Sequence, residues 1–237
     1  MTVERTESTR PAALAGVSQG VPIVLGYVPI GLAFGVLAQK AGLTPLITLS
    51  MSIVVYAGSA QLIAVGLFAV GVPPLSIVAT TFIVNLRHLL MSAALAPFLR
   101  NWSRPQLAAF AYELTDETFA VHAARFAAAG ARATEALATN VTAQAAWVTG
   151  TALGILVGSA IADVEPLGLD YALPAMFIAL LVMQIRDRVQ VVVAVLTGAL
   201  AVGLLLAGMA RWHVVVATLA GATLGLGLEQ WIGQRSS

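Results

Sequence analysis

The sequence predicts an all-α fold, a polytopic transmembrane bundle of about seven spans with some of its helices broken, and three observations carry that prediction. Charged residues are 10% of the 237, under half of the roughly 25% of soluble domains. Hydrophobic residues are 59% and the mean hydropathy is +0.91, too little polar surface to cover a water-exposed globule. Apolar runs near the length of about 20 residues that crosses a bilayer recur along the chain.

Composition also removes functions. With no cysteine, disulfides, zinc thiolate sites and iron–sulfur clusters are excluded, and no metal or other cofactor is expected. The net charge is +1 with no run of Lys and Arg, which argues against nucleic acid as a partner.

Residues 1–15 are polar and mixed in charge (Glu4, Arg5, Glu7, Arg10) and read as a disordered tail. Residues 16–237 form a single transmembrane domain. The first apolar run, 17–38, is too long for a signal peptide and lacks a clear cleavage site beyond it. Pro22, Gly26, Pro29, Gly31 and Gly35 interrupt it. Such residues survive in lipid where neighbouring helices or cavity water satisfy the freed backbone groups, so this helix should face protein.

Further runs follow at 46–70 and 75–99, joined by the tight Gly71-Val72-Pro73-Pro74 turn. The connecting segment 100–135 is the most charged stretch, and apolar runs resume at 142–162, 173–185, 189–210 and 214–232. These are seven spans; if 107–129 also crosses, there are eight. Trp212 and Trp231 bracket the last span as interfacial belt residues, a role expected also for Trp147 and Tyr171. Seven spans with the N-terminus outside put eight basic residues inside and three outside; eight spans with the N-terminus inside give seven against four. A loose echo, Gly31-x-x-x-Gly35, Gly42-Leu43, Met51 against Gly154-x-x-x-Gly158, Gly168-Leu169, Met176, is compatible with inverted repeats at about 17–100 and 142–210.

Three constellations stand out against the apolar background. Tyr56-Ala57-Gly58-Ser59-Ala60-Gln61 places small and hydrogen-bonding residues inside the second span. Unwound backbone there is tolerated only inside protein or beside water, and a broken helix aims a partly positive N-terminus at an anion; close packing of small residues is the competing reading. Asn85-Leu86-Arg87-His88 lies about twelve residues from either end of the third span. A cation at that depth costs at least about 2.5 kcal/mol, so Arg87 needs a partner or a purpose. A guanidinium offers a planar fork to a carboxylate, and His88 is readily poised to exchange a proton.

Glu113, Asp116 and Glu117 supply acids. Glu113 and Glu117 share a helical face and Glu113 and Asp116 are three apart, so two or three carboxylates point the same way, and crowded carboxylates suit proton coupling. They could equally attract an ammonium, neutralise Arg87, or lie on a solvated amphipathic helix. At the end of the fifth span stands Gln184, followed by Arg186-Asp187-Arg188, a cluster that reads as an interfacial anchor. Gly150, Gly154 and Gly158, like Gly221 and Gly225, put small residues on one helix face and read as sites of close helix packing.

Several blocks, in order, resemble the AzlC family, the large subunits of branched-chain amino-acid exporters linked to azaleucine resistance. They are QGVPIVLGYVPIGLAFGVLA at 19–38, YAGSAQLIAVGL at 56–67, NLRHLLMSA at 85–93, LTDETFA at 114–120 and AMFIALLV at 175–182. The resemblance covers 17–206. It implies a multi-pass protein of the prokaryotic plasma membrane that exports valine, leucine, isoleucine and often methionine. It also implies a small AzlD-type membrane subunit as partner, and an ion gradient, with protons the leading choice, as the driving force. Nothing resembles a Walker A loop, so ATP hydrolysis would need another chain.

On this reading the substrate site comprises Tyr56, Gly58, Ser59, Gln61, Asn85, Arg87, Asp116 and Glu117. Arg87 or the 57–59 helix start would take the carboxylate, and Asp116 or Glu117 the ammonium. His88, Glu113, Asp116 and Glu117 would carry protons. Two other classes compete. An intramembrane serine hydrolase would use Ser59, yet the usual Gly-x-Ser-Gly is absent. A non-transporting scaffold subunit has no reason to bear the cost of Arg87.

Overall fold

The computed structural model describes residues 11–158, 187–209 and 213–235, with single positions 160, 168, 171, 178, 181, 182 and 185 between them. The tail to Arg10, the acidic loop of Asp163, Glu165 and Asp170, most of the 173–185 run with Gln184, Arg186 and Trp212 lie outside the described residues. All the described regular structure is helical. The chain divides into two compact units, residues 1–177 and 178–237.

In the first unit, α1 (Ala12–Lys40) runs 29 residues without ending at Pro22 or Pro29. It lies along α8 (Ala133–Gly158), and the pairing is parallel. Thr139 Oγ1 donates to Gly16 O at 3.0 Å, and Gln39 Nε2 donates to Ile155 O at 2.9 Å. Glycines permit the approach: a Cβ on Gly31 would sit 2.8 Å from Trp147 O, and one on Gly35 or Gly154 would run into the facing backbone. Small residues on both helices are the usual means of close contact in a bilayer, where dispersion replaces the hydrophobic effect. The two Gly-x-x-x-Gly motifs of the sequence echo therefore face one another on parallel helices, not on helices entering from opposite sides.

The 46–70 run is not one span. After α1 ends, α2 (Pro45–Ser50) starts on a Thr44 cap and passes into a π-helical turn at Met51–Val55. Tyr56 then takes the left-handed conformation, φ 40° and ψ 52°, which costs a residue with a Cβ of order 1 kcal/mol. The reversal sends α3 (Gly58–Ala69) back the way α2 came. Gln61 Nε2 donates to Ser52 Oγ at 3.2 Å, whereas a straight helix would separate the two positions by about 13 Å. The two halves hold 11 and 12 residues, about half a bilayer each.

Beyond the 70–73 turn, α4 (Pro74–Asn85) and α5 (Arg87–Leu95) are nearly continuous, since Leu86 keeps helical angles (φ −55°, ψ −22°). With a 3-10 turn at Ala96–Leu99 they form a 26-residue span. A second hairpin follows, α6 (Arg104–Tyr112) and α7 (Asp116–Ala129). Trp102 Nε1 donates to Ala131 O at 3.4 Å, and Phe110 packs against His122 and Phe126. The hairpin thus opens and closes at the end where α1 and α8 begin, with Leu95, Leu99, Phe110, Phe126 and Ala136 in one apolar cluster. The segment does not cross.

In the second unit, α9 (Arg188–Leu206) and α10 (His213–Arg235) pack antiparallel. Asp187 caps α9, its Oδ1 accepting from Gln190 N at 2.9 Å. Thr197 fills the space beside Gly221, and Val193 lies by Gly225, the close packing expected of those glycines. Among the described residues, 12–40, 74–99, 133–158 and 188–206 are long and apolar enough to cross a membrane. The protein is an all-α membrane protein.

Candidate functional site

Each hairpin turns at mid-depth, and the two turns meet beside Arg87. In the first, buried hydroxyls and an amide hold the strained bend. Ser52 Oγ is 2.8 Å from Thr151 Oγ1, which donates to Trp147 O, while Gln61 Oε1 accepts from Ala57 N at 3.2 Å. Ser52, Gln61 and Thr151 are fully buried, so these bonds satisfy groups that lipid could not. α3 then begins at Gly58 with no side-chain cap, which leaves its first N–H groups and the positive end of its dipole available. A Cβ on Gly58 would come within 2.8 Å of the Trp147 ring; only glycine fits.

In the second hairpin, Glu113 ends α6 and Thr115 starts α7. Thr115 Oγ1 accepts from Thr118 N, and Thr118 Oγ1 accepts from Thr115 N at 2.9 Å, a reciprocal cap. Asp116 and Glu117 occupy the first turn, where the helix dipole favours negative charge. The expected single helix through 113–117 is therefore broken, and Glu113 and Glu117 do not share a helical face.

Arg87 joins the two tips. Its Nη1 lies 3.0 Å from Asp116 Oδ2, and its Nη2 donates to Ser59 Oγ. The side chains of Arg87 and Asp116 remain 27% and 19% exposed, so the pair borders open space. His88 Nδ1 is 3.0 Å from Asn85 O; a carbonyl only accepts, so the proton sits on Nδ1 and Nε2 is left with its lone pair. Tyr27 donates to Glu117 Oε2 at 2.5 Å and lies 2.7 Å from Thr115 Oγ1. Its ring meets Trp147 edge-on, with centroids 5.5 Å apart. Trp147, expected at an interface, is instead 2% exposed at the centre of the unit, because the small residues of α1 bring that helix against it.

Tyr27, Tyr56, Gly58, Ser59, Arg87, His88, Thr115, Asp116, Glu117 and Trp147 surround a cavity of about 20 Å³, room for about one water. Gln61, Asn85 and Glu113 stand outside this lining: Gln61 braces the bend and the Asn85 carbonyl orients His88. Sequence reasoning missed Tyr27, Thr115 and Trp147 as lining residues. Thr115 had a signal, since it stands one place before two acids as an N-cap would. No groups of His, Asp and Glu that would hold a metal occur among the described residues.

The sequence profile of the AzlC protein family matches residues 22–161, which include both hairpins and every residue of the cavity. The chain belongs to the AzlC family. It is 33% identical to an uncharacterized membrane protein of Archaeoglobus fulgidus over 88% of this chain and 92% of that one. It is 29% identical to the inner membrane protein YgaZ of Escherichia coli, over 90% and 87%. The branched-chain amino acid transport protein AzlC of Bacillus subtilis is 25% identical over 69% of this chain and 64% of its own length. No solved structure matches this AzlC-family chain.

Proposed function

We propose that this chain exports the branched-chain amino acids valine, leucine and isoleucine, and methionine beside them, across the plasma membrane, driven by the proton gradient and working with a small AzlD-type subunit. One observation carries the reading: a cation and an anion, Arg87 on the α4–α5 span and Asp116 at the tip of the second hairpin, pair at mid-depth and border the same small cavity. A zwitterion that enters between them exchanges one ion pair for two without adding net charge to the low-dielectric interior, which limits the desolvation cost. The substrate carboxylate would take the Arg87 fork and the uncapped start of α3, and its ammonium Asp116 or Glu117. The rings of Trp147 and Tyr56 would meet the apolar side chain. Both the family membership and the name of the Bacillus relative support this substrate class.

Proton coupling rests on His88, Asp116 and Glu117 at the cavity and on Glu113 behind it. A cavity that fits about one water must widen for an amino acid, and hairpins half a bilayer long can move without dragging a whole span. Arg100, Arg104, Arg125 and Arg132 gather at the end where α1 begins, and Lys40 stands at the other. By the bias of basic residues toward the cytoplasm, that first end is the cytoplasmic one. On this reading the N-terminus lies inside, where the seven-span expectation puts it outside. The test is efflux of labelled valine from vesicles: Arg87→Ala should abolish it while the protein still assembles, and retained efflux would sink the site.

A further inference from the structure

A line of buried polar side chains leaves the cavity and runs along α7 and α8 to the end of the unit where α1 begins. Half-buried Glu117 and buried Thr115 stand at the cavity, and Thr118, His122, Asn140, Thr139 and Glu135 follow, each of the five at most 4% exposed. At its outer end Glu135 accepts from Gln19 Nε2 at 2.5 Å and from Arg125 Nε at 3.0 Å. A cleft there is lined by Gln19, His122, Arg125, Arg132 and Glu135. An apolar packing surface would serve α1, α7 and α8 at lower cost, since each polar group in the interior must be paired.

His122 is the titratable group between the two ends. It is 1% exposed and lies between Phe110 and Phe126, with ring centroids 5.0 and 5.1 Å away. Its Nε2 is 2.7 Å from Asn140 Oδ1, so Nε2 carries a proton in that bond and Nδ1 is free to take another. Asn140 Nδ2 is buried with no partner, a donor left over on the same line. The charged groups that face the ring's surroundings are Arg125 and Arg132 at the cleft, Glu135 on α8, and Glu117 about 7.5 Å along the axis of α7.

We propose that His122 carries protons between the central cavity and the cytoplasmic cleft, an inference that rests on the proton-coupled reading above. Glu117, protonated at the cavity, gives its proton through Thr118 and intervening water to Nδ1 of His122. The imidazolium then releases it to the Glu135 carboxylate at the cleft, which hands it to water on the cytoplasmic side, and the ring returns to neutral. One proton leaves the central carboxyl and one appears on the cytoplasmic side, while the Nε2–H bond to Asn140 is kept throughout. The substrate does not touch the path beyond Glu117 and Thr115 at the cavity, so exchange of amino acid for amino acid needs no proton to pass His122.

The experiment uses the full chain with its partner in proteoliposomes and reads two rates, counterflow of labelled valine without a gradient and uphill valine transport driven by an imposed pH gradient. His122→Gln and His122→Asn keep a polar group for Asn140 but hold no exchangeable charge. The expected result is counterflow within about threefold of wild type and gradient-driven transport reduced at least about tenfold, toward the range by which general acid–base groups act. Retained gradient-driven transport in either variant overturns the proposal. Loss of counterflow in both also overturns it, by making the ring part of the framework. A wild-type protein that exchanges valine but ignores the gradient would fail the parent reading instead, before any variant is compared.

Discussion

Arg87 reaches two tips at once, Ser59 on one and Asp116 on the other, and only a planar fork with several donors spans both. Arg87→Lys keeps the charge and loses the second bond. Valine efflux should fall by about tenfold, the equivalent of about 1.4 kcal/mol, and a rate equal to wild type would show that charge alone suffices. Tyr27→Phe removes the hydroxyl that Glu117 accepts and leaves a buried carboxylate short of a donor, at about 1–3 kcal/mol. The thermal midpoint should drop about 2–4 °C for each kcal/mol. The charged members of the site were legible in the sequence because a charge at mid-depth must be explained. Tyr27 and Trp147 were not, since an aromatic ring in an apolar run reads alike whether it faces lipid, an interface or a site.

The parallel α1 and α8 are the frame against which the hairpins turn, and their contact depends on the absence of side chains. Gly154→Leu puts a side chain into Leu32 O and the Gly35 Cα and should cost about 1–3 kcal/mol or more through overpacking. Gly26→Leu meets nothing within 4 Å and should leave the detergent-solubilised protein's melting unchanged; equal effects would contradict the parallel contact. The Gly-x-x-x-Gly spacings announced close packing in the sequence, and that reading holds. Helix direction was not legible there, because a small-residue face does not say whether its neighbour runs up or down. Nor was the fold-back at Tyr56: hydropathy measures length and composition, and a 25-residue apolar run has both whether it crosses or returns.

Three helices of the first unit go through and two hairpins enter from opposite ends, so their tips carry opposite approaches to one cavity. The apolar runs suggested seven or eight spans because the 46–70 and 107–129 segments are each long enough to cross; the side on which each one ends is set by the short bends at 56–57 and 113–115. Since the chain has no cysteine, single cysteines can report sides directly. Cysteines at Leu43 and Val72 should both label from outside the cell and those at Asn101 and Ala129 both from inside, whereas a spanning 46–70 helix would split the first pair. The central claim is transport at those tips. Counterflow of labelled valine into proteoliposomes holding the chain and its small partner, with and without an imposed pH gradient, tests it most directly. The account predicts valine exchange that the gradient drives uphill and that Arg87→Ala abolishes; exchange that is absent, or that survives Arg87→Ala, would contradict it.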